Sequence, residues 1–422
     1  MPTYRQGVPI HEAPAQRGCS TPALASGEGR SKDGVMSPHV RSHGRLLKLS
    51  LLCLSSLAAA TLGLAAPTSV ATAAAATGAG AMVEPQVKAL GGHVRVLAGG
   101  LLNPRGLAFG PDGRLYVAEG GSGGTASTVG TCPQVPDVGP YTGGFTSRIS
   151  RITLDGRRTT VVGGLPSSQT NAASGGLVSG VAAVAFLEGH LYAVTSGAGC
   201  SHGLAGTHNA VLRVEDHHVR QVANLSAFQM SHPVAHPNPG DFEPDGTWYS
   251  MVAAGDDLYA VEPNHGELDR ISPSGHISRV VDVSAHLGHV VPTALTTRAG
   301  RFLLSNLGTF PVNPGSQFLA SVTKNGHFRV LGHGLTTVLG LAFDHDGRLY
   351  ALESTTAPGN PTPGTGKVVQ VTDHGLRTVV SGLTFPTGMT FGPDDTLYVS
   401  NFGFGFPPGA GQVLRIDLPD HH

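Results

Sequence analysis

The apolar positions of this chain fall in short runs separated by tight polar turns, and the pattern repeats. One block, Gly106-Leu-Ala-Phe-Gly-Pro-Asp-Gly-Arg-Leu-Tyr-Val-Ala-Glu119, recurs over Gly340–Glu353 and again over Gly388–Asn401. Weaker copies end in Leu191–Thr195, Leu258–Glu262 and Phe302–Asn306, which makes six. Each block predicts two strands, A and B, joined at Asp112-Gly113, Glu188-Gly189, Asp256-Asp257, Ala299-Gly300, Asp346-Gly347 or Asp394-Asp395. Asp-Gly between apolar runs marks a hairpin, because glycine accepts the positive φ the turn needs.

A second hairpin, C and D, follows each block. Ile149–Leu154 turns at Asp155-Gly156 into Arg158–Val162, and Phe318–Val322 turns at Asn325-Gly326 into Phe328–Leu331. The last block has only C, Val413–Ile416. The missing D strand lies at the other end, where His93–Leu101 matches His327–Leu335 with no A, B or C before it. The predicted fold is all-β: a six-bladed β-propeller in which the N-terminal strand completes the last blade and leaves no unpaired edge. The aligned B-strand residues Tyr116, Tyr192, Tyr259, Leu303, Tyr350 and Tyr398 are spaced 76, 67, 44, 47 and 48 apart. The last three spacings suit a four-stranded blade of about 40–50 residues. The first two carry insertions.

Composition agrees. Only 13% of residues are charged, 40% are hydrophobic and 60 of the 422 are glycine, which fits buried strands and turns and excludes disorder. Residues 1–48 carry seven Lys+Arg against three Asp+Glu, leaving 20 basic and 25 acidic residues in the remainder. A mildly acidic body argues against nucleic acid as a partner. Arg41, Arg45 and Lys48 precede the apolar run Leu49–Ala66, and Ala71-Thr-Ala73 and Ala74–Ala76 follow it. That is the form of a secretory signal peptide, and the run is short for a membrane span. Cys53 follows Leu52, whereas a lipid-attached cysteine follows a small residue. The chain thus divides into residues 1–35 upstream of a start at Met36, a signal peptide over 36–76, a linker over 77–92, the propeller over 93–419 and a tail over 420–422. The expected product is a secreted monomer with no membrane span after cleavage.

The form Gly-x-x-Phe-x-x-Asp-Gly-x-Leu-Tyr-Val is NHL-like, and residues 93–419 resemble the ScyD/ScyE family of secreted propellers. Trp248–Val281, with Asp256-Asp-Leu-Tyr-Ala-Val261 and Leu268-Asp-Arg-Ile-Ser-Pro-Ser-Gly275, carries the resemblance most fully. More distantly the repeats resemble the six-bladed gluconolactonase and strictosidine-synthase group. The resemblance implies a fold and brings no reaction with it.

In a propeller the B–C and D–A connections share one face. The insertions Gly120–Ser147, Ser196–Asn209 and Ala227–Thr247 are two B–C loops and one D–A loop, so that face is the expected functional one. Cys132 and Cys200 lie in the first two insertions, and in an exported chain they suggest a disulfide; the alternative is two free thiols. The B strands end in Glu119, Thr195, Glu262, Asn306, Glu353 and Asn401. Read as a ring at the channel mouth, Glu119, Glu262, Asn306, Glu353 and Asn401 are candidate ligand-binding residues. Glu119, Glu262 and Glu353 are the weak candidates for a metal such as Ca²⁺. The other reading, which the commonness of polar strand ends favours, is that they satisfy backbone groups of the next turn. The lactonase group holds its metal with Glu, Asn and Asp, and here no Asp completes the set.

His232, His236, Asp241 and Glu243 cluster in the third insertion, but Pro233 and Pro237 forbid a helix through the two histidines, so a stiffened surface loop is the stronger reading. Arg151, Arg213, Arg270 and Arg415 share one position in strand C and are expected to pair with carboxylates of their own blades. Phe402, Phe404 and Phe406 place apolar groups on a loop of the same face. No nucleophile elbow, Walker loop or His-Glu-x-x-His is present, and no catalytic residue is assigned. The preferred function is a non-catalytic module binding an extracellular ligand or protein, with no cofactor assigned. The alternative is a metal-dependent hydrolase or lactonase with a divalent ion at the channel mouth.

Overall fold

The computed structural model describes residues 87–419. The signal peptide, the Met36 start and Cys53 lie outside the described residues. The described chain forms six antiparallel sheets in the order the repeats predict, a six-bladed β-propeller. No helix among the described residues is long and apolar enough to cross a membrane.

Blade 1 consists of Pro104–Phe109 (A), Leu115–Glu119 (B), Thr142–Ile152 (C) and Arg158–Gln169 (D). The A strands of blades 2 to 6 are Val181–Leu187, Ser250–Ala254, Pro292–Arg298, Val338–Phe343 and Gly388–Phe391. Blade 6 takes its C strand from Gly411–Asp417 and its D strand from His93–Leu101, with Val94 opposite Ile416 and Val96 opposite Leu414. The ring is therefore closed by the pairing that the repeat count requires.

Two edges carry more than four strands. Lys88–Ala89, within the stretch read as a linker, pairs with Ser381 and Val380 on the outer edge of blade 5. Val178–Ser179 pairs with the end of blade 1's D strand. The C–D hairpin of blade 1 is also longer than the apolar pattern indicates, running on to Thr142 opposite Gln169 and Gly143 opposite Ser168. These extra residues are mostly Gly, Ser and Thr, so no alternation announces them. What holds them is the second insertion: a side chain at Gly143 would strike Leu204 and the His202 carbonyl.

The repeat motif is explained by packing between blades. The B strands of blades 1, 3, 5 and 6 are buried throughout, and the D strands are exposed along most of their length. The motif tyrosine of one blade meets an aromatic ring of the next: Tyr116 on Phe186, Tyr259 on Phe302, Tyr350 on Phe391 and Tyr398 on Phe109, with centroids 4.3–5.1 Å apart. Such pairs contribute about 0.5–1.5 kcal/mol beyond area burial. The apolar core is accordingly divided into clusters between neighbouring sheets, and one of them joins blade 6 to blade 1 through Leu97, Val413, Tyr398 and Leu115.

Candidate ligand-binding face

The three insertions lie together on the face of the B–C and D–A connections. Cys132 and Cys200 form a disulfide between the first two. Thr128 donates its hydroxyl hydrogen to the Cys200 carbonyl beside it.

The third insertion begins with a short helix, α1 (Leu225–Ser231), capped by Asn224 and ended before Pro233. It then drives two carboxylates under the second insertion. Asp245 accepts from the Ser201 amide at 2.8 Å and the Ser201 hydroxyl at 2.7 Å. Asn209 donates to the Gly246 carbonyl at 2.6 Å and accepts from the Ala198 amide at 2.9 Å. Gly199 is obligatory: its φ is +113°, and a Cβ would lie 2.2 Å from Asp245 Cγ.

Glu243 ties all three insertions to blade 1. Its Oε1 accepts from the Tyr141 hydroxyl at 2.9 Å, its Oε2 lies 3.3 Å from His202 Nε2, and His202 Nδ1 is 2.9 Å from Ser168 Oγ. Burial, and then the Glu243 charge, push the Tyr141 phenol well above its ordinary pKa, so it stays a donor. The order Ser168–His202–Glu243 has the chemical groups of a hydrolytic triad. Ser168 and His202 are wholly buried, however, so the array braces the loops and presents no nucleophile. Nothing local in the sequence announces it, because its members come from strand D of blade 1 and two different insertions. His202 inside a loop that also holds a cysteine is the nearest signal.

The B-strand ends are placed otherwise than as an open ring. The central channel, a cavity of about 320 Å³, is lined by the A strands, including Gly106, Ala183, Met251, Leu295, Leu341 and Met389. The B-strand ends lie one strand outward and are buried. Most latch the backbone that leads into their own blade. Glu119 Oε2 accepts from the Leu102 amide at 2.6 Å and Arg148 at 2.8 Å, and its other oxygen takes the Ser150 hydroxyl. Glu262 accepts from the Thr247 amide at 2.9 Å and the His265 amide at 2.6 Å. Glu353 accepts from the Thr336 amide at 2.7 Å and pairs with Lys367 at 3.0 Å. Asn401 accepts from the Thr384 amide at 2.9 Å, and Asn306 donates to the Val290 carbonyl at 2.8 Å. The carboxylates of Glu119, Glu262 and Glu353 do not converge, and among the described residues no group of three His, Cys, Asp or Glu side chains is placed to hold a metal. We derive no metal-dependent step.

The histidine-rich loop does not gather its members either. Glu243 turns to His202, Asp241 pairs with His289 at 2.9 Å, and His232 stacks on Phe228 with centroids 4.4 Å apart. The strand C arginines pair as expected, Arg270 with Asp257 at 2.7 Å and Arg415 with Asp394 at 3.1 Å. Phe404 stacks on Phe385, and Phe402 meets Phe406 edge-on.

Between them the insertions leave large apolar side chains in solvent: Val129 is 62% exposed, Phe145 57% and Met230 61%. Phe242 and Phe310 join them on the same face. The B–C and D–A connections contain no lysine or arginine.

No protein-family model matches the chain, and no curated protein matches it. Solved structures similar to it include a gluconolactonase from Xanthomonas campestris, at 11% identity over 78% of this chain and 90% of that one, with a TM-score of 0.48. Another is the PQQ-bound aldose sugar dehydrogenase of Streptomyces coelicolor, at 14% identity over 78% and 97%, with a TM-score of 0.46. A streptogramin B lyase is similar at 12% identity over 79% and 100%, with a TM-score of 0.42. At these values the likeness carries no argument about chemistry.

Proposed function

We propose that this chain is an exported propeller of the ScyD/ScyE type and acts as a non-catalytic binding module, its extracellular ligand or protein partner docking on the insertion-bearing face. The observation that carries this reading is the joining of three insertions from separate blades into one braced platform. The Cys132–Cys200 bridge and the buried Tyr141–Glu243–His202–Ser168 array fix its shape. Bracing loops in advance lowers the ordering cost of binding. Exposed Val129, Phe145 and Met230 give the platform apolar contact area of the kind interaction sites use.

The lactonase alternative needs Glu119, Glu262 and Glu353 to face an ion. Each instead receives the hydrogen bonds described above, which supports a bracing role.

A photo-crosslinking residue placed at Phe145 or Phe242, in the exported protein made by its own producer, is expected to give discrete adducts. The same residue at Leu154, beside a C–D turn, is expected to give none. Equal adducts from both positions, or turnover of a lactone by the purified protein, would overturn the proposal.

A further inference from the structure

Among the described residues the half-buried arginines have carboxylate partners, with one exception. Arg148 and Arg158 face Glu119, Arg151 faces Asp112, Arg213 faces Glu215, Arg279 faces Glu267, Arg348 faces Asp344, and Arg415 faces Asp394. Arg105 has no such partner among the described residues. It is the second residue of strand A of blade 1, at the insertion-side end, where it donates to the Val178 carbonyl and lies against the Tyr249 hydroxyl. Tyr249 lines the channel and donates in turn to the Thr387 carbonyl at 2.8 Å. The phenol is held neutral, pushed up to about 12 chiefly by burial.

A guanidinium has five N–H groups in a planar fork. Two partners leave capacity for a third. Tyr249, against which it lies, lines the channel, and this half-buried cation receives no counter-charge from a carboxylate among the described residues. That arrangement is unfavourable unless an anion supplies one.

We propose that Arg105 is the anion-binding group of a ligand site at the end of the channel, which takes a singly charged organic carboxylate. The fork matches a carboxylate in two parallel hydrogen bonds. One cation with no second basic group beside it matches one negative charge better than a phosphate's two. The channel beside it is lined by Leu107, Ala183, Met251, Leu295 and Leu341 among Ser250 and Thr296, with no Asp, Glu, Lys or Arg and with His345 as its one imidazole, so the body of the ligand is apolar or hydroxylated. A cavity of about 320 Å³ admits a small molecule. The site goes beyond the platform reading and does not depend on it, since a partner on the insertions need not enter the channel.

The test uses the whole exported protein, with thermal melting and the fluorescence of Trp248, the chain's one tryptophan and the neighbour of Tyr249. Benzoate and hexanoate are the probes. Benzamide is the neutral control, and inorganic phosphate at equal ionic strength is the second anion. The carboxylates are expected to raise Tm by about 4 °C near saturation, with benzamide inert and phosphate weaker. Arg105→Met is expected to abolish the shift while melting no lower than the parent in anion-poor buffer. Arg105→Lys, which keeps the charge and loses the fork, is expected to bind benzoate about tenfold more weakly, and it serves should the methionine variant fail to fold. The proposal is overturned if neither carboxylate shifts Tm, if benzamide equals benzoate, if phosphate exceeds it, or if Arg105→Lys binds as tightly as the parent.

Discussion

The two faces of this ring are built by different rules. On the face of the A–B and C–D turns the connections are short and rich in charge, as in Gly110–Arg114, Thr153–Arg157, Asp344–Arg348 and Gly392–Thr396. Each turn closes on local contacts: Arg348 bonds Asp344 four residues away, and the Gly156 amide donates to the Thr153 carbonyl at 2.8 Å. The opposite face has long connections without lysine or arginine, and its contacts span 102 positions from Tyr141 to Glu243 and 138 from Tyr249 to Thr387. One face is a set of turns closed mainly within themselves, with a few bonds to the next blade such as the His345 amide to Asp395 at 2.9 Å, and on the other the insertions are tied into one structure. Damage should therefore stay local on the first and spread on the second.

The sharpest way to test this contrast is to cut the bridge. Replacing Cys132 and Cys200 by serine frees a loop of 68 residues and should cost about 4 kcal/mol by loop-closure entropy. It should also expose residues 120–141 to limited proteolysis. A variant that melts like the parent and resists protease would show that the polar array alone suffices. Next comes Glu119→Ala, which strands Arg148 and the Leu102 amide. Breaking a buried pair of this kind costs about 3 kcal/mol, read from denaturant unfolding.

Asp269 sharpens the comparison through pH. It lies buried in strand C of blade 3 with Glu267, and burial, against the help of the Trp248 indole N–H, pushes its carboxyl up to about 7. A folded-state pKa above the unfolded one means the native protein holds the extra proton, so stability falls as pH rises from about 4 to 7. Asp269→Asn should reduce that slope, leaving the share of Glu267, which burial also raises, and be about 2 kcal/mol more stable than the parent at pH 8. Equal slopes in both proteins would contradict the assignment. The smallest effect belongs to the turn face. Asp346→Ala, at an exposed pair with Arg348, should change stability by less than about 0.5 kcal/mol. A larger loss there would erase the distinction between the faces.

The same distinction decides what a reader of the sequence can see. Turns governed by neighbouring residues are legible, which is why Asp112-Gly113 and Asp346-Gly347 locate their hairpins and the six repeats locate the sheets. The partner of His93–Leu101 was legible too, because its match to His327–Leu335 leaves it without a blade of its own. The bracing of the insertions was not. Ser168, His202 and Glu243 meet only after the ring forms, and no spacing encodes their approach. The polar ends of the B strands were visible as a set, but their direction depends on where the preceding D–A connection passes. Arg105 did leave a trace: the position before the motif glycine is Leu339 and Thr387 in the two closest copies, and only in the first is it a cation.

The shared last sheet has a mechanical consequence. An open stack of repeats frays from its ends, since a terminal unit touches one neighbour. Here His93–Leu101 and the last described strand, Gly411–Asp417, lie side by side, so loosening either one opens the same seam. Peeling is thereby replaced by a single breach between Val96 and Leu414, and until that breach occurs every sheet keeps two flanking sheets.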